Sequence, residues 1–245
     1  MSHKHQPEGL PASLSEAART IDALIDTLQQ PITMLKNRFL QIYDDYFNAE
    51  GINASRLERL AAELEPQCLR ELDTPVPRFT DGIGLVWLAP TGASGMLWWR
   101  AEADRVARKH HVFNPSSDSF YDYRNSSWFL GAYEASGLSI VGPYVDAWGT
   151  DDHTLTGSIA MRRPAGSAGV AAADLNLGTV VSHVERALTN LPGTVLVNNE
   201  DRVVASNIAL LTPGLPLMPY LSKSSKSIVA TEATTLMNWR LLEVA

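Results

Sequence analysis

The chain has almost no cysteine: Cys68 is alone among 245 residues. No intramolecular disulfide can form, and no cysteine-based zinc signature exists. Cys68 falls in a segment of helical pattern, where its plain reading is a small buried hydrophobe. Long apolar runs are missing as well. No window approaches the 18 consecutive apolar residues of a membrane-crossing helix, and the charged start Met1-Ser2-His3-Lys4-His5 leads into no apolar stretch of a secretory leader. A cytoplasmic, soluble protein with no membrane partner is the expectation. Basic charge is in short supply: 20 Lys and Arg against 27 Asp and Glu give a net charge of -7, with the basic residues scattered. Such a surface repels phosphate backbones and anionic lipid, so no nucleic-acid partner is expected.

Catalytic and metal-binding signatures are also absent. His110 and His111 are neighbours and lack the i, i+4 spacing of a helical metal pair. His153 follows Asp151 and Asp152, but the trio comes directly after Gly149-Thr150 and reads as a solvated turn. Gly166-Ser167-Ala168-Gly169 does not have the spacing of a nucleophile elbow, and no phosphate-binding loop appears. The expectation is a protein without metal, cofactor or enzymatic activity.

What is present is enough apolar material, 45% of residues, for one well-cored domain with a helical extension. Leu14, Ala18, Ile21, Ile25, Leu28, Ile32, Leu35, Phe39 and Ile42 recur in alternating steps of four and three, which predicts a long helix with a heptad stripe. Ser13 with Glu16 supplies a capping box at its start. Pro31 should kink or break the helix and Gly51 should end it. The stripe has two readings, packing on its own domain or forming a homodimer. A second helix is predicted over Ala54 to Leu72, with Leu57, Leu60, Leu64 and Leu69 near one face and a second kink at Pro66. Pro75 and Pro77 close the helical section.

Beyond residue 80 the period shortens. Ile83 to Leu88, Gly95 to Trp99, Ser139 to Val145, Thr154 to Met161, Gly169 to Asp174, Thr194 to Val197, Arg202 to Ser206 and Asn238 to Leu242 read as short strands bounded by Gly, Pro, Asn or Asp. Trp128 to Ala135 and Leu177 to Leu188 read as helices, and Asn198 to Asp201 as the polar turn of a hairpin. The Ser/Lys cluster at Ser222 to Ser227 reads as a surface loop. The order predicts an α+β fold: a helical extension over 1–80, then a domain over 81–245 with one antiparallel sheet and helices against it. Trp98 and Trp99 must face opposite sides of their strand, one in the core or closing a pocket, the other against a helix.

Three stretches carry the functional reading: Phe120-Tyr121-Asp122-Tyr123-Arg124-Asn125-Ser126-Ser127-Trp128-Phe129, then Gly142-Pro143-Tyr144-Val145-Asp146, then Ala171-Ala172-Ala173-Asp174-Leu175. Together they resemble the ligand-binding signature of Cache domains, the PAS-like sensor modules of bacterial signalling proteins. The resemblance runs from about Gly82 to Ser206 and implies a PAS-like antiparallel sheet behind a long N-terminal helix. In the amino-acid-binding branch of that family, an Asp-Tyr-Arg element leads into Arg-x-Trp-Tyr, a tyrosine follows in a Gly-Pro-Tyr strand, and an aspartate ends a later strand. The resemblance places Trp128 on the tryptophan, Phe129 on the tyrosine of that pair, Tyr144 on the strand tyrosine and Asp174 on the late aspartate. Tyr121 and Asp146 also fall on positions the family uses.

Ser126 stands where the family has its carboxylate-binding arginine. A guanidinium makes two parallel charge-assisted bonds to a carboxylate, and a serine makes one neutral bond. Arg124, the arginine of the Asp-Tyr-Arg element, would share a face with Ser126 and Trp128 if the segment were a strand, and would then be a substitute clamp. The rings of Tyr121, Trp128, Phe129 and Tyr144 with the carboxylates of Asp146 and Asp174 suit a cation, because ring faces attract ammonium groups. The plain alternatives are that the rings fill the core and that Asp174 caps the helix beginning near Leu177.

The resulting expectation is a stand-alone sensor of a small amine or amino-acid-like molecule, reporting to an unknown output protein. A rival from another class is an enzyme using the same pocket with Asp146 or Asp174 as general base. A third is a structural dimerisation protein, resting on the heptad stripe.

Overall fold

The computed structural model describes residues 10–47, 52–75, 77–88, 94–109, 123–145, 153–164 and 166–245. Helix α1 spans Leu14–Tyr46 and α2 spans Ala54–Leu72. Both starts are capped as their sequences dictate. The Glu16 amide donates to Ser13 Oγ at 3.2 Å, while the Glu16 carboxylate accepts from the Ala12 amide at 2.8 Å. At α2 the Asn53 side chain accepts from the Arg56 amide at 2.9 Å.

Helix α1 passes through Pro31 without a break, and α2 through Pro66. A proline inside a helix costs about 3 kcal/mol. Leu28, Ile32 and Leu35 around Pro31 are all buried, and each buried side chain of this size returns about 1.5–3 kcal/mol. Burial wins. The whole stripe from Ala18 to Ile42 is buried within the chain, so a homodimer through this helix would have to use another of its faces. On α2 the buried set is Leu60, Ala61, Leu64, Cys68 and Leu72, with Leu69 turned outward. Gly51, the expected end of α1, lies outside the described residues.

The chain divides into two compact units, and not at residues 80/81. One is Thr27–Thr179; the other joins the segment up to Asp26 with Val180–Ala245. The expected single sheet is accordingly two, since each unit builds its own.

In the larger unit, six antiparallel strands, β1 (Thr80–Trp87), β2 (Gly95–Ala101), β3 (Val106–Lys109), β4 (Leu138–Val145), β5 (His153–Arg163) and β6 (Gly166–Asn176), lie in the order β3-β2-β1-β6-β5-β4. One face meets α1 and α2: the indole of Trp99 donates to Glu65 at 3.1 Å, and the Ile32 side chain sits against Gly157. The other face meets α3 (Ser127–Glu134), which follows a 3-10 turn at Tyr123–Asn125. Three bonds pin α3 down: Ser158 Oγ to the Trp128 carbonyl at 2.8 Å, Tyr133 Oη to the Gly169 carbonyl at 3.0 Å, and Arg162 to the Tyr133 carbonyl at 2.7 Å. Helix α4 (Leu177–Ala187) then leaves β6, its Thr179 amide capped by Asn176 Oδ1 at 2.8 Å.

The smaller unit has β7 (Thr194–Val197), β8 (Val203–Ser206), α5 (Leu217–Ser224), β9 (Ile228–Ala233) and β10 (Arg240–Val244), with strand order β8-β7-β10-β9. Its core joins Val195, Val203, Leu217, Leu221 and Leu242. The β7–β8 turn is organised by Asn198, whose Oδ1 accepts from the Glu200 and Arg202 amides, and an ion pair joins Arg240 to Asp201. Asp22 of α1 accepts from the Thr235 amide and hydroxyl and from the Leu236 amide, tying the β9–β10 turn to the helix. Ser222 to Ser224 of the expected loop form the end of α5, and Ser225 stops it with φ of 55°. No helix among the described residues is long and apolar enough to cross a membrane.

Candidate functional site

The site forms on the α3 face of the larger sheet. Alternation in β5 points Thr154, Thr156 and Ser158 to that face, and all three hydroxyl-bearing residues are buried. Thr156 pairs directly with Asp174 of β6, and its hydroxyl donates to Asp174 Oδ1 at 3.0 Å. On its other side, Thr156 Oγ1 lies 2.6 Å from the Tyr144 hydroxyl. A threonine hydroxyl has one hydrogen, so once it is given to Asp174 the short bond must be donated by Tyr144. The result is a directed chain, Tyr144 to Thr156 to Asp174. It ends on a carboxylate and begins on a phenol oxygen, both of them hydrogen-bond acceptors by their chemistry. Both ends suit a ligand that donates hydrogen bonds and carries positive charge.

The wall beside this chain is aromatic. Trp98, Tyr123, Trp128 and Phe129 belong to one buried cluster with Val86 and Ala172. Trp128 and Phe129 meet edge to face at 5.9 Å, and Tyr123 lies 5.9 Å from Phe129. Trp98 lies across two glycines of β1. A Cβ on Gly84 would stand 2.1 Å from the Leu97 carbonyl oxygen and 2.6 Å from Trp98 Cε3, so no larger residue fits there. A Cβ on Gly82 would stand 2.8 Å from Trp98 Nε1 and 3.3 Å from Asp174 Oδ2. The indole and the carboxylate therefore approach one another over a floor without side chains.

The structure brings together Trp128, Phe129, Tyr144 and Asp174 on one side of the sheet. Asp174 lies within its strand, and Asn176 takes the helix-capping role. Ser126 sits at the start of α3 but donates its hydroxyl to the Tyr123 carbonyl at 2.5 Å. Arg124 lies in the 3-10 turn and is exposed, while Trp128 is buried, so the strand geometry that would align them does not occur. Tyr121 and Asp146 lie outside the described residues. Thr156, Tyr123 and Gly82 were not among the residues expected from the sequence, and Trp98 was expected only as one of a pair with Trp99, either of which could close a pocket or fill the core. Two signals mark them: hydroxyls at alternate positions in Thr154-x-Thr156-x-Ser158, and the spacing Gly82-x-Gly84 in a strand preceding Trp98-Trp99. Among the described residues no group of three His, Cys, Asp or Glu side chains is placed to hold a metal.

No family model and no curated protein matches the chain. Solved structures do. The chain is similar to the ligand-binding domain of the Pseudomonas aeruginosa amino-acid chemoreceptor PctC in complex with GABA, at 17% identity and a TM-score of 0.58, covering 95% of each chain. It is similar to the ligand-binding domain of the Pseudomonas fluorescens chemoreceptor CtaA in complex with L-valine, at 15% identity and a TM-score of 0.61, covering 94% of this chain and 93% of that one. The ligand-binding domain of the Campylobacter jejuni chemoreceptor Tlp3 in complex with L-norvaline matches at 12% identity and a TM-score of 0.60, covering 94% and 86%. At these identities the likeness is one of fold. The α+β fold with its long leading helix is that of the chemoreceptor ligand-binding domains, as the Cache-like motifs imply.

Proposed function

We propose that this protein is a ligand-binding sensor domain for a small amine or amino-acid-like compound, passing its signal to a partner. The observation that carries the reading is the directed chain from Tyr144 through Thr156 to Asp174, set beside the rings of Trp98 and Trp128. A carboxylate and a phenol oxygen accept from an ammonium group, and the low-dielectric aromatic wall strengthens both bonds. The ligands named for PctC, CtaA and Tlp3 all contain an amino group, which agrees with this chemistry.

Ser126 shapes the preference. Its hydroxyl is committed to the Tyr123 carbonyl, so it supplies neither the charge nor the fork of an arginine to an α-carboxylate. The ammonium half of the site is the better provided for, and amines bind more tightly than standard α-amino acids. A thermal-shift screen of primary amines, polyamines and the standard amino acids tests this. A ligand at about 100 times its dissociation constant adds roughly 2.7 kcal/mol to stability, raising the melting temperature by roughly 5 to 10 °C. A shift with α-amino acids and none with amines would overturn the preference. A cytoplasmic location is the expectation carried from the sequence, and fractionation of producing cells tests it.

A further inference from the structure

Trp98 and Trp99 are neighbours on β2 whose indole nitrogens meet different surroundings. The Trp99 indole donates to Glu65 of α2 at 3.1 Å, whereas among the described residues the Trp98 Nε1–H has no hydrogen-bond acceptor. A buried indole ordinarily finds one, because an N–H taken from water and left unpaired costs free energy. Trp98 is 8% exposed, and its nitrogen is not sealed off from solvent. Register sets where that nitrogen lies. Trp98 pairs with Gly84 of β1, and Gly82 of the same strand pairs with Asp174 of β6. The ring covers both glycines, with Cε3 at the Gly84 end and Nε1 at the Gly82 end: a Cβ on Gly82 would stand 2.8 Å from Nε1 and 3.3 Å from Asp174 Oδ2. A donor with no acceptor among the described residues thus stands beside the carboxylate that ends the Tyr144–Thr156–Asp174 chain.

We infer that Trp98 sets the ligand class: its Nε1–H donates to a hydroxyl of the ligand whose ammonium Asp174 holds, so that the domain selects hydroxylated amines over plain ones. This rests on the amine-sensing reading above and deepens it. The indole covers the glycine floor, so the ligand meets the Nε1 edge of the ring and the half-buried Asp174 carboxylate and needs no space above Gly82. Charge decides which acceptor fits. A ligand carboxylate at Nε1 would stand next to the Asp174 carboxylate, like charge against like charge beside a wall of low dielectric. A hydroxyl is neutral, accepts from the indole and still has a hydrogen to give to Asp174. Spacing agrees. In a 2-hydroxyalkylamine three bonds of about 1.5 Å separate nitrogen from oxygen, so its two polar groups are neighbours, as the indole nitrogen and the carboxylate are.

The test is calorimetric titration of the intact chain with ethanolamine, n-propylamine and free glycine. The two amines match in size and differ in a hydroxyl against a methyl group; free glycine puts a carboxylate in place of the hydroxymethyl group. The wild type should bind ethanolamine at least tenfold more tightly than n-propylamine, because the analogue without the hydroxyl leaves the indole N–H unpaired. It should also bind free glycine more weakly than ethanolamine. Trp98→Phe, which keeps an aromatic ring and removes the N–H, should bring the two amines within twofold of each other. Equal binding of ethanolamine and n-propylamine by the wild type, a comparison that needs no variant to fold, overturns the assignment. So does an unchanged preference in Trp98→Phe, which would leave Trp98 a wall of the site and nothing more. In either case the amine-sensing reading stands, since the wild type binds both amines. A wild type that binds neither amine removes that reading and this assignment with it.

Discussion

Tyr144 and Asp174 lie on strands separated by β5, yet each is within hydrogen-bond distance of the same atom, Thr156 Oγ1, at 2.6 and 3.0 Å. Thr156 itself is 1% exposed, so this hydroxyl cannot be replaced by bulk water. Its removal leaves a phenol and a carboxylate without their shared partner, a loss of about 1–3 kcal/mol in a buried setting.

Thr156→Val, which keeps the shape and deletes the hydroxyl, should therefore lower stability by about 1–3 kcal/mol and weaken amine binding together. Chemical denaturation and a binding titration on the same preparation check this. Loss of stability with unchanged amine affinity would detach the Tyr144–Thr156–Asp174 chain from ligand recognition.

Ile25→Asp should destabilise the chain by about 3 kcal/mol or more, because Ile25 is 1% exposed and the substitution buries a charge. Light scattering should give the same association state for the variant as for the wild type while it remains folded. A folded variant that dissociates from dimer to monomer would return the stripe to an intermolecular role.

Asp22→Ala should release the β9–β10 turn. Three donors from Thr235 and Leu236 converge on this carboxylate, and bonds to a charged acceptor are worth about 1.5–3 kcal/mol each when well formed. Hydrogen exchange at the Thr235 and Leu236 amides should quicken at least tenfold. Unchanged exchange would show the turn to be held by β9 and β10 alone.

Cys68 gives the pH dependence. Its thiol is fully buried, and desolvation by burial, aided by the neighbouring Glu65, pushes its pKa well above the ordinary 9.0. The folded state then keeps a proton that the unfolded state releases, so stability is full below about pH 9 and falls as the pH rises beyond it. Burial raises Tyr43 from 10.0 as well, which extends the loss to higher pH. The unfolding free energy should fall as the pH rises past about 9, by up to about 1.4 kcal/mol per pH unit for Cys68, which chemical denaturation at about pH 8 and about pH 10 measures. Below pH 8 a thiol reagent should modify Cys68 only at the rate of unfolding; rapid labelling of the native protein would contradict its burial.

Much of this was legible in the sequence where period and burial agree. The stripe from Ala18 to Ile42, the span of α2 and the strand β7 match their patterns because each buries one continuous face. Strand β9, Ile228–Ala233, and helix α5 escaped notice for the opposite reason. Strand β9 is an edge strand with its first two residues exposed, and α5 is a single short helix containing Pro219. The division into two sheets was hidden because strand signals carry no partner information: nothing local in Thr194 to Val197 says that it pairs with β8 and β10 and not with β6. Of the residues gathered on the α3 face, Trp128, Tyr144 and Asp174 were named by their motifs. Thr156 was not, since a threonine in a strand is ordinary until its register with Asp174 is known.

The most direct test of the account is calorimetric titration of n-butylamine into the wild type and Asp174→Asn, which keeps an acceptor for Thr156 and removes the charge. The account predicts measurable binding by the wild type and at least a tenfold loss in Asp174→Asn, with melting temperatures of the unliganded proteins within a few degrees of each other. Equal affinity in the two proteins would contradict it, because the ammonium would then be held somewhere other than Asp174.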